Sequence, residues 1–229
     1  MTIVLMTVFI ILTYLLYQLM KLVYNKFYSP LLVPIATTTF LLIIFLIVTN
    51  ISYETYMLGG KWIGELLGPA VVALALPLYQ HRKTLNQYFI PISTGVIVGS
   101  SVGMLSGLFA ALWLQFDQSV ILSLVPKSVT TPVAMDIADM TGGVPTLAAV
   151  FVTIAGISGS MFGPILFGKC GIHHYIGVGV GFGTASHGIG TARALELGKG
   201  EAAVSSIAMI LSAIFVAIVG PSIIELIFL

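Results

Sequence analysis

Long apolar runs separated by short polar segments fill most of this 229-residue chain. A transmembrane helix needs about 20 predominantly apolar residues. The runs that reach or approach this length are 2–20, 31–48, 88–116, 147–167 and 202–228. The pattern therefore predicts an all-α polytopic membrane protein.

Two further apolar segments carry polar residues and glycines near their middles. The first, 118–140, contains Thr130-Thr131-Pro132, which predicts a short helix capped by Thr131 with proline at its first position. If this segment spans or dips as a hairpin, the start of that helix lies near the bilayer midplane. The expected element is an interrupted transmembrane segment.

The second segment, 172–198, contains GTASHG from Gly183 to Gly188. Ser186 is the expected cap of a half-helix that Gly198 ends. In hydrocarbon, every backbone N–H and C=O needs a partner inside the protein, so such a break must be buried in protein or line a wet cavity. Discontinuous helices of this kind carry the sites of many secondary transporters.

The sequence predicts N-terminal transmembrane helices over 1–50 and a larger region over 51–229, with broken helices around 63–80, 118–140 and 172–198. A weak internal echo pairs GPAVVALALP (68–77) and GSSVGMLSG (99–107) with TPVAMDIAD (131–139) and GISGSMFG (156–163). Each half has a proline-started short helix followed by a glycine-spaced long one. We therefore expect a transporter-like fold of two inverted-repeat-like halves.

The composition, with 58% hydrophobic and 7% charged residues, is that of an integral membrane protein. A net charge of +1 excludes a basic nucleic-acid footprint. The single cysteine, Cys170, excludes an intramolecular disulfide and is expected to be a small buried residue. No zinc spacing, phosphate loop or nucleophile motif is present, so we expect no catalytic residue, metal or cofactor.

Basic residues indicate the orientation. Lys21 and Lys26 follow the first run, and Arg82 and Lys83 lie two crossings later. Cytoplasmic loops are enriched in lysine and arginine, so both loops are expected in the cytoplasm and the N-terminus outside.

The two interrupted segments predict an anion site. Half-helix N-termini at similar depth present free N–H groups and partial positive charge, which suit a carboxylate. On the second half-helix, His187 and Thr191 are four apart and Ser186 and Arg193 seven apart, spacings that share a face. The candidate substrate-binding residues are Thr130, Thr131, Ser186, His187, Gly188, Thr191 and Arg193.

Several of these residues have alternative interpretations. Asp136 and Asp139 share a helix face and are candidates for binding a coupling proton or cation, although Asp139 alternatively reaches water at a helix end. His187 has three candidate roles: it carries a proton, it donates a hydrogen bond to the substrate, or it forms hydrogen bonds that hold the broken backbone. Arg193 neutralises a carboxylate, snorkels to the cytoplasmic surface or pairs with an aspartate. His173 and His174 are adjacent, so they point to different faces and suit a membrane interface.

Several blocks in one order resemble the LrgB/CidB family: YMLGGKW, PAVVALALPLY, LVPKSVTTPVAMDIADMTGG, GFGTASHGIGTARALELG and AVSSIAMIL. The resemblance runs from about Ile51 to the C-terminus and looks nearer the CidB branch at GTASHGIGTARALE and SSIAMIL. It implies a multi-pass protein of the bacterial plasma membrane that works with a small LrgA/CidA-type partner. The family was named for holin-like and antiholin-like control of murein hydrolases and cell lysis, and other members are taken to move small carboxylates.

Two functions remain. A secondary carrier of small monocarboxylates, such as pyruvate or glycolate, requires Thr131, Asp136, Ser186 and His187 to converge inside one subunit. A holin-like or antiholin-like protein requires polar faces at subunit contacts and no enclosed site. The sequence does not favour an enzyme. A homo-oligomer, such as a dimer, is also expected, although the glycine-spaced face from Gly95 to Gly107 suits internal packing equally well.

Overall fold

The computed structural model of the protein describes residues 2–27, 29, 32, 34–66, 69, 72–73 and 75–228. Its helices are α1 (Thr2–Phe27), α2 (Pro34–Thr49), α3 (Tyr53–Gly64), α4 (Ala75–Gln80), α5 (Arg82–Gln87), α6 (Phe89–Trp113), α7 (Gln118–Leu124), α8 (Thr131–Thr141), α9 (Pro145–Lys169), α10 (Tyr175–Leu197) and α11 (Lys199–Phe228).

Among the described residues, four helices are long and apolar enough to cross a membrane. They are α1 over Ile3–Phe27, α6, α9 and α11. Helix α2 is apolar but shorter, with 16 residues. The prediction of an all-α polytopic membrane protein is confirmed. The predicted break at 63–80 includes residues 67–68, 70–71 and 74, which lie outside the described residues.

The chain separates into two compact units, 1–72 and 73–229. In the first unit, α1 packs against α2 and α3. The ring of Phe9 lies edge-on to Tyr56, and the Thr13 and Tyr56 hydroxyls lie 3.1 Å apart. Ser52 caps α3 by accepting a hydrogen bond from the Thr55 N–H. The predicted division at residue 50 stays a prediction.

In the second unit, α6 and α11 run side by side in the same direction. Near their starts, Ile92 and Val96 of α6 pack with Val204 and Ile207 of α11. At mid-length the buried Ser100 and Ser212 hydroxyls lie 2.8 Å apart. Further along, Met104 and Leu108 share a core cluster with Ala213 and Val216. Successive positions on one helix thus meet successive positions on the other.

Helix α10 does not cross the unit, because its chain reverses direction at His187. In a straight helix, Phe182 and Gly190 would be about 12 Å apart along the axis, and Val178 and Ala194 about 24 Å. Instead, a Cβ built on Gly190 would lie 2.8 Å from the Phe182 carbonyl oxygen. Ala194, Phe182 and Val178 share one core cluster. Two antiparallel arms, 175–186 and 188–197, therefore form a hairpin, here called hairpin 2.

Helices α7 and α8 also fold back on each other. After α7 ends at Leu124, a short non-helical connection leads to α8 at Thr131. At the far end of α8, the Val144 N–H donates a hydrogen bond of 2.7 Å to Ser123 Oγ, and Gly143 lies against the Ser123 backbone. The segment 118–141 is therefore a second hairpin, here called hairpin 1, with its tip at 125–131.

The two hairpins enter the second unit from opposite ends of α6. Hairpin 1 follows the end of α6 at Trp113. The base of hairpin 2 lies near the start of α6, where the rings of Tyr88 and Tyr175 are 6.1 Å apart. A long helix followed by a hairpin therefore occurs twice in the second unit, first as α6 with hairpin 1 and then as α9 with hairpin 2. The two pairs run in opposite directions. This pairing differs from the sequence echo, and the inverted-repeat relation stays a prediction.

Candidate functional site

Both hairpin tips rest on one row of glycines along α6. Gly95, Gly99, Gly103 and Gly107 are four residues apart and share a face, called here the glycine ridge. A Cβ on Gly99 would lie 2.9 Å from Thr184 Oγ1 of hairpin 2, and a Cβ on Gly103 would lie 3.1 Å from Ser128 Oγ of hairpin 1. A side chain on α6 at either position would force the facing hydroxyl to move.

The ridge brings the two hairpins to adjacent turns of one helix. Gly99 and Gly103 are about 6 Å apart along the axis. Each lies near the middle of the 25-residue α6, so both tips reach the central part of the unit. The glycine face for which the sequence left two roles open is therefore used for packing inside the chain.

The tip of hairpin 2 is built around His187. The backbone has φ 40° and ψ −131° at this residue, which is a strained conformation for a side chain larger than glycine. His187 is only 5% exposed, and its Nε2 lies 3.0 Å from the Val152 carbonyl oxygen of α9. A carbonyl only accepts, so Nε2 carries the hydrogen. In the neutral ring, Nδ1 then holds the acceptor lone pair.

Small residues of α9 admit this tip. Ser186 is buried, and its hydroxyl lies so close to Gly159 that a Cβ there would overlap it. A Cβ on Gly156 would lie 2.8 Å from His187 Nε2. Gly188, directly after the reversal, is exposed. The side chains of Ser186 and His187 therefore pack against α9, where glycines leave room for them.

The tip of hairpin 1 presents the start of α8. Thr130, and not Thr131, is the N-cap residue, so the predicted cap is wrong by one position and Pro132 lies in the first turn. Thr130 is 8% exposed, and its hydroxyl is buried without a hydrogen-bond partner among the described residues. Thr131 is half-buried beside it. An unpaired buried hydroxyl at an electropositive helix start is suited to accept a ligand.

Of the remaining candidates, Thr191 contacts the tip of hairpin 2, and the others lie away from the tips. Thr191 Oγ1 donates a hydrogen bond of 2.8 Å to the His187 carbonyl and lies 2.8 Å from Ser205 Oγ of α11. Arg193 forms an ion pair with Glu196 on the second arm of hairpin 2. Because the chain reverses between them, Ser186 and Arg193 lie on different arms. Asp136 and Asp139 are exposed on α8.

Sequence reasoning missed Lys127, which lies at the tip of hairpin 1. Its Nζ donates a hydrogen bond of 2.6 Å to the Gly103 carbonyl on the glycine ridge. A signal was available, because a lysine in the apolar run LVPKSVTTP is unusual at membrane depth.

Several basic residues of the second unit lie at one of its ends. Arg82 and Lys83 precede α6, Lys169 ends α9 and Lys199 begins α11, all at the end where hairpin 2 enters. Asp117 lies at the opposite end, directly before hairpin 1.

Cys170 is exposed, so its predicted burial is wrong. Among the described residues, no group of three or more His, Cys, Asp or Glu side chains is arranged to hold a metal ion.

The fold and the buried polar tips define a multi-pass, all-α integral membrane protein. Comparison with known proteins gives the family: the chain belongs to the LrgB-like family, whose model matches residues 13–226. The match begins well before Ile51 and so includes most of α1 and all of α2.

Several relatives match over nearly the whole length. The chain is 45% identical to protein YxaC of Bacillus subtilis (strain 168), over 96% of this chain and 95% of that protein. It is 36% identical to the holin-like protein CidB of Staphylococcus epidermidis and 33% identical to that of Staphylococcus aureus (strain N315), over 95% of each chain. No solved structure matches the chain.

Proposed function

We propose that this protein is a secondary carrier of small monocarboxylates, such as pyruvate or glycolate. The observation that carries the proposal is the approach of both hairpin tips to adjacent turns of α6, at Gly99 and Gly103. Two hairpins that enter from opposite ends and end at mid-depth suit a site that opens alternately to each side of the membrane.

The proposed site consists of Thr130 and Thr131 at the start of α8 and of Ser186, His187 and Gly188 at the reversal of hairpin 2. The start of α8 supplies backbone N–H groups and partial positive charge, and the Thr130 hydroxyl has no hydrogen-bond partner in the part of the chain that the structure describes. A carboxylate satisfies these groups better than a neutral sugar does, because the favoured ligand at a helix start is an anion.

The coupling residues and the orientation are part of the same proposal. Asp136 and Asp139 bind the proton or cation that drives uptake, whereas Thr191 and Arg193 support the second arm of hairpin 2. The end of the second unit that carries Arg82, Lys83, Lys169 and Lys199 faces the cytoplasm of the bacterial cell, since basic residues mark that side. The N-terminus lies outside.

The decisive experiment is uptake of radiolabelled pyruvate or glycolate into proteoliposomes, with and without a small LrgA/CidA-type membrane partner. We expect saturable uptake that is abolished by His187→Ala and Asp136→Asn while membrane insertion is unchanged. Unchanged uptake in both variants would refute the proposed site. If the wild type shows no uptake even with the partner present, the carrier function itself is refuted.

The second candidate function is holin-like or antiholin-like control of murein hydrolases and lysis. It is favoured by the names of the staphylococcal relatives, which are holin-like proteins. An assembled pore releases a trapped dye such as carboxyfluorescein from vesicles, whereas a carrier gives saturable uptake without dye release. The same proteoliposomes therefore distinguish the two functions.

A further inference from the structure

Lys127 occupies an unusual position for a lysine. Its ammonium lies against the glycine ridge, with Nζ bonded to the Gly103 carbonyl near the middle of α6. At 1.5 Å per residue, Gly103 is about 15–20 Å from either end of the helix, so the charge lies far from both membrane surfaces. A cation at such depth is costly and is retained where it has a task.

Among the residues that the structure describes, this cation has no counter-ion. Within the described residues, Lys127 forms no ion pair with an aspartate or glutamate, and its polar contact is the Gly103 carbonyl. An ammonium has three N–H donors, so two are left for another partner. The basic residues Arg82, Lys83, Lys169 and Lys199 instead lie at the helix ends, where water can solvate them.

The structure also makes room for this side chain. A Cβ on Gly107 would overlap Lys127 Nζ and lie 3.4 Å from its Cε. The neighbouring Ser128 fills the space over Gly103. The ridge therefore forms a slot for the lysine, three residues from the unpaired Thr130 hydroxyl at the start of α8.

We infer that Lys127 is the counter-ion of the transported carboxylate, an inference that rests on the proposed carrier function. Without substrate its ammonium is held by the Gly103 carbonyl, and on binding its free N–H donors pair with the carboxylate. A charge-assisted hydrogen bond of this kind is stronger than a neutral one and gives preference for an anion over a neutral analogue. Lys127 thus sets the specificity of the site for a monoanion.

The test measures uptake of radiolabelled pyruvate in proteoliposomes that contain Lys127→Met, Lys127→Arg or Gly107→Ala. Loss of the charged hydrogen bond raises the KM of Lys127→Met by on the order of tenfold to a hundredfold, and Lys127→Arg recovers part of it. Gly107→Ala displaces the ammonium and reproduces the rise with the lysine still present. Matched controls are Lys169→Met, an exposed cation, and Gly168→Ala, whose Cβ would meet no atom of the described residues within 4 Å.

A second readout separates binding from support of the fold. In the wild type, unlabelled pyruvate competes far better than its neutral amide, and in Lys127→Met this preference disappears. Suppose that the wild type transports pyruvate and that Lys127→Met and Gly107→Ala both keep its KM and its preference for the anion. That result overturns the inference about Lys127 and leaves the proposed carrier function intact. A wild type without uptake overturns the carrier and this inference together. If Lys127→Met does not fold, Gly107→Ala decides between the two outcomes by the same KM and competition measurements.

Discussion

His187 allows the reversal of hairpin 2 and the role of its imidazole to be tested separately. Both His187→Ala and His187→Gly remove the ring and its hydrogen bond to Val152. The two variants differ only in what the backbone tolerates at φ 40°. Alanine is disfavoured in the left-handed region by about 1–2 kcal/mol, whereas glycine enters it freely.

We therefore expect His187→Gly to be more stable than His187→Ala by about 1–2 kcal/mol. In the interior of a continuous helix the order of stability is reversed, because there a protein with alanine is more stable than one with glycine by roughly 0.5–1 kcal/mol. The sign of the difference thus reports whether the chain turns at this residue. Thermal unfolding of the two purified variants in the same detergent gives the order, with Gly168→Ala as a control at an open site.

Uptake of labelled carboxylate completes this test. If the imidazole serves the substrate, both variants lose uptake although His187→Gly has the easier backbone. A His187→Gly variant that transports normally would show that the residue has only a structural role, and a more stable His187→Ala would contradict the reversal itself.

The remaining predictions concern the packing of the tips and the Thr130 hydroxyl. Gly159→Ala forces Ser186 out of its place, so we expect thermal unfolding to show a loss of about 1–3 kcal/mol in stability and transport assays to show a loss of uptake. A Gly159→Ala variant that behaves like Gly168→Ala would exclude the close contact. Thr130→Val replaces a buried unpaired hydroxyl by a methyl group, so we expect stability to be kept or raised by about 1 kcal/mol while the KM for the carboxylate rises. An unchanged KM would remove Thr130 from the proposed site.

The sequence predicted the long helices well, because hydropathy and length follow directly from the thickness of the bilayer. It also indicated where regular helix stops in both segments, since the run Thr130-Thr131-Pro132 and the polar centre Ser186-His187 are visible as local patterns, although it placed the first cap at Thr131. It could not tell a crossing from a hairpin. A segment that crosses and one that returns at mid-depth have the same length and composition, and the difference at His187 is a single backbone conformation.

The sequence also did not predict which distant segments pack against each other. The spacing of Ser186 and Arg193 indicated a shared face only if the half-helix began at Ser186, and the reversal at His187 instead places the two residues on different arms. The glycines of α6 indicated a close approach of some backbone, but not that Thr184 and Ser128 from two different hairpins supply it. The hydrogen bond from Lys127 to the Gly103 carbonyl joins residues 24 positions apart, and no local pattern predicts that contact.

The meeting of the two tips on the glycine ridge can be measured directly by paired cysteines in a Cys170→Ser background. The Cβ positions of residues 103 and 128 would be 3.6 Å apart and those of residues 99 and 184 would be 3.3 Å apart, close to the 3.5–4.5 Å typical of disulfides. We expect Gly103→Cys with Ser128→Cys, and Gly99→Cys with Thr184→Cys, each to cross-link on mild oxidation in membranes. Gly168→Cys with Ser128→Cys serves as the pair that does not. Failure of either ridge pair to cross-link in folded protein would contradict a shared site for the two hairpins at mid-depth.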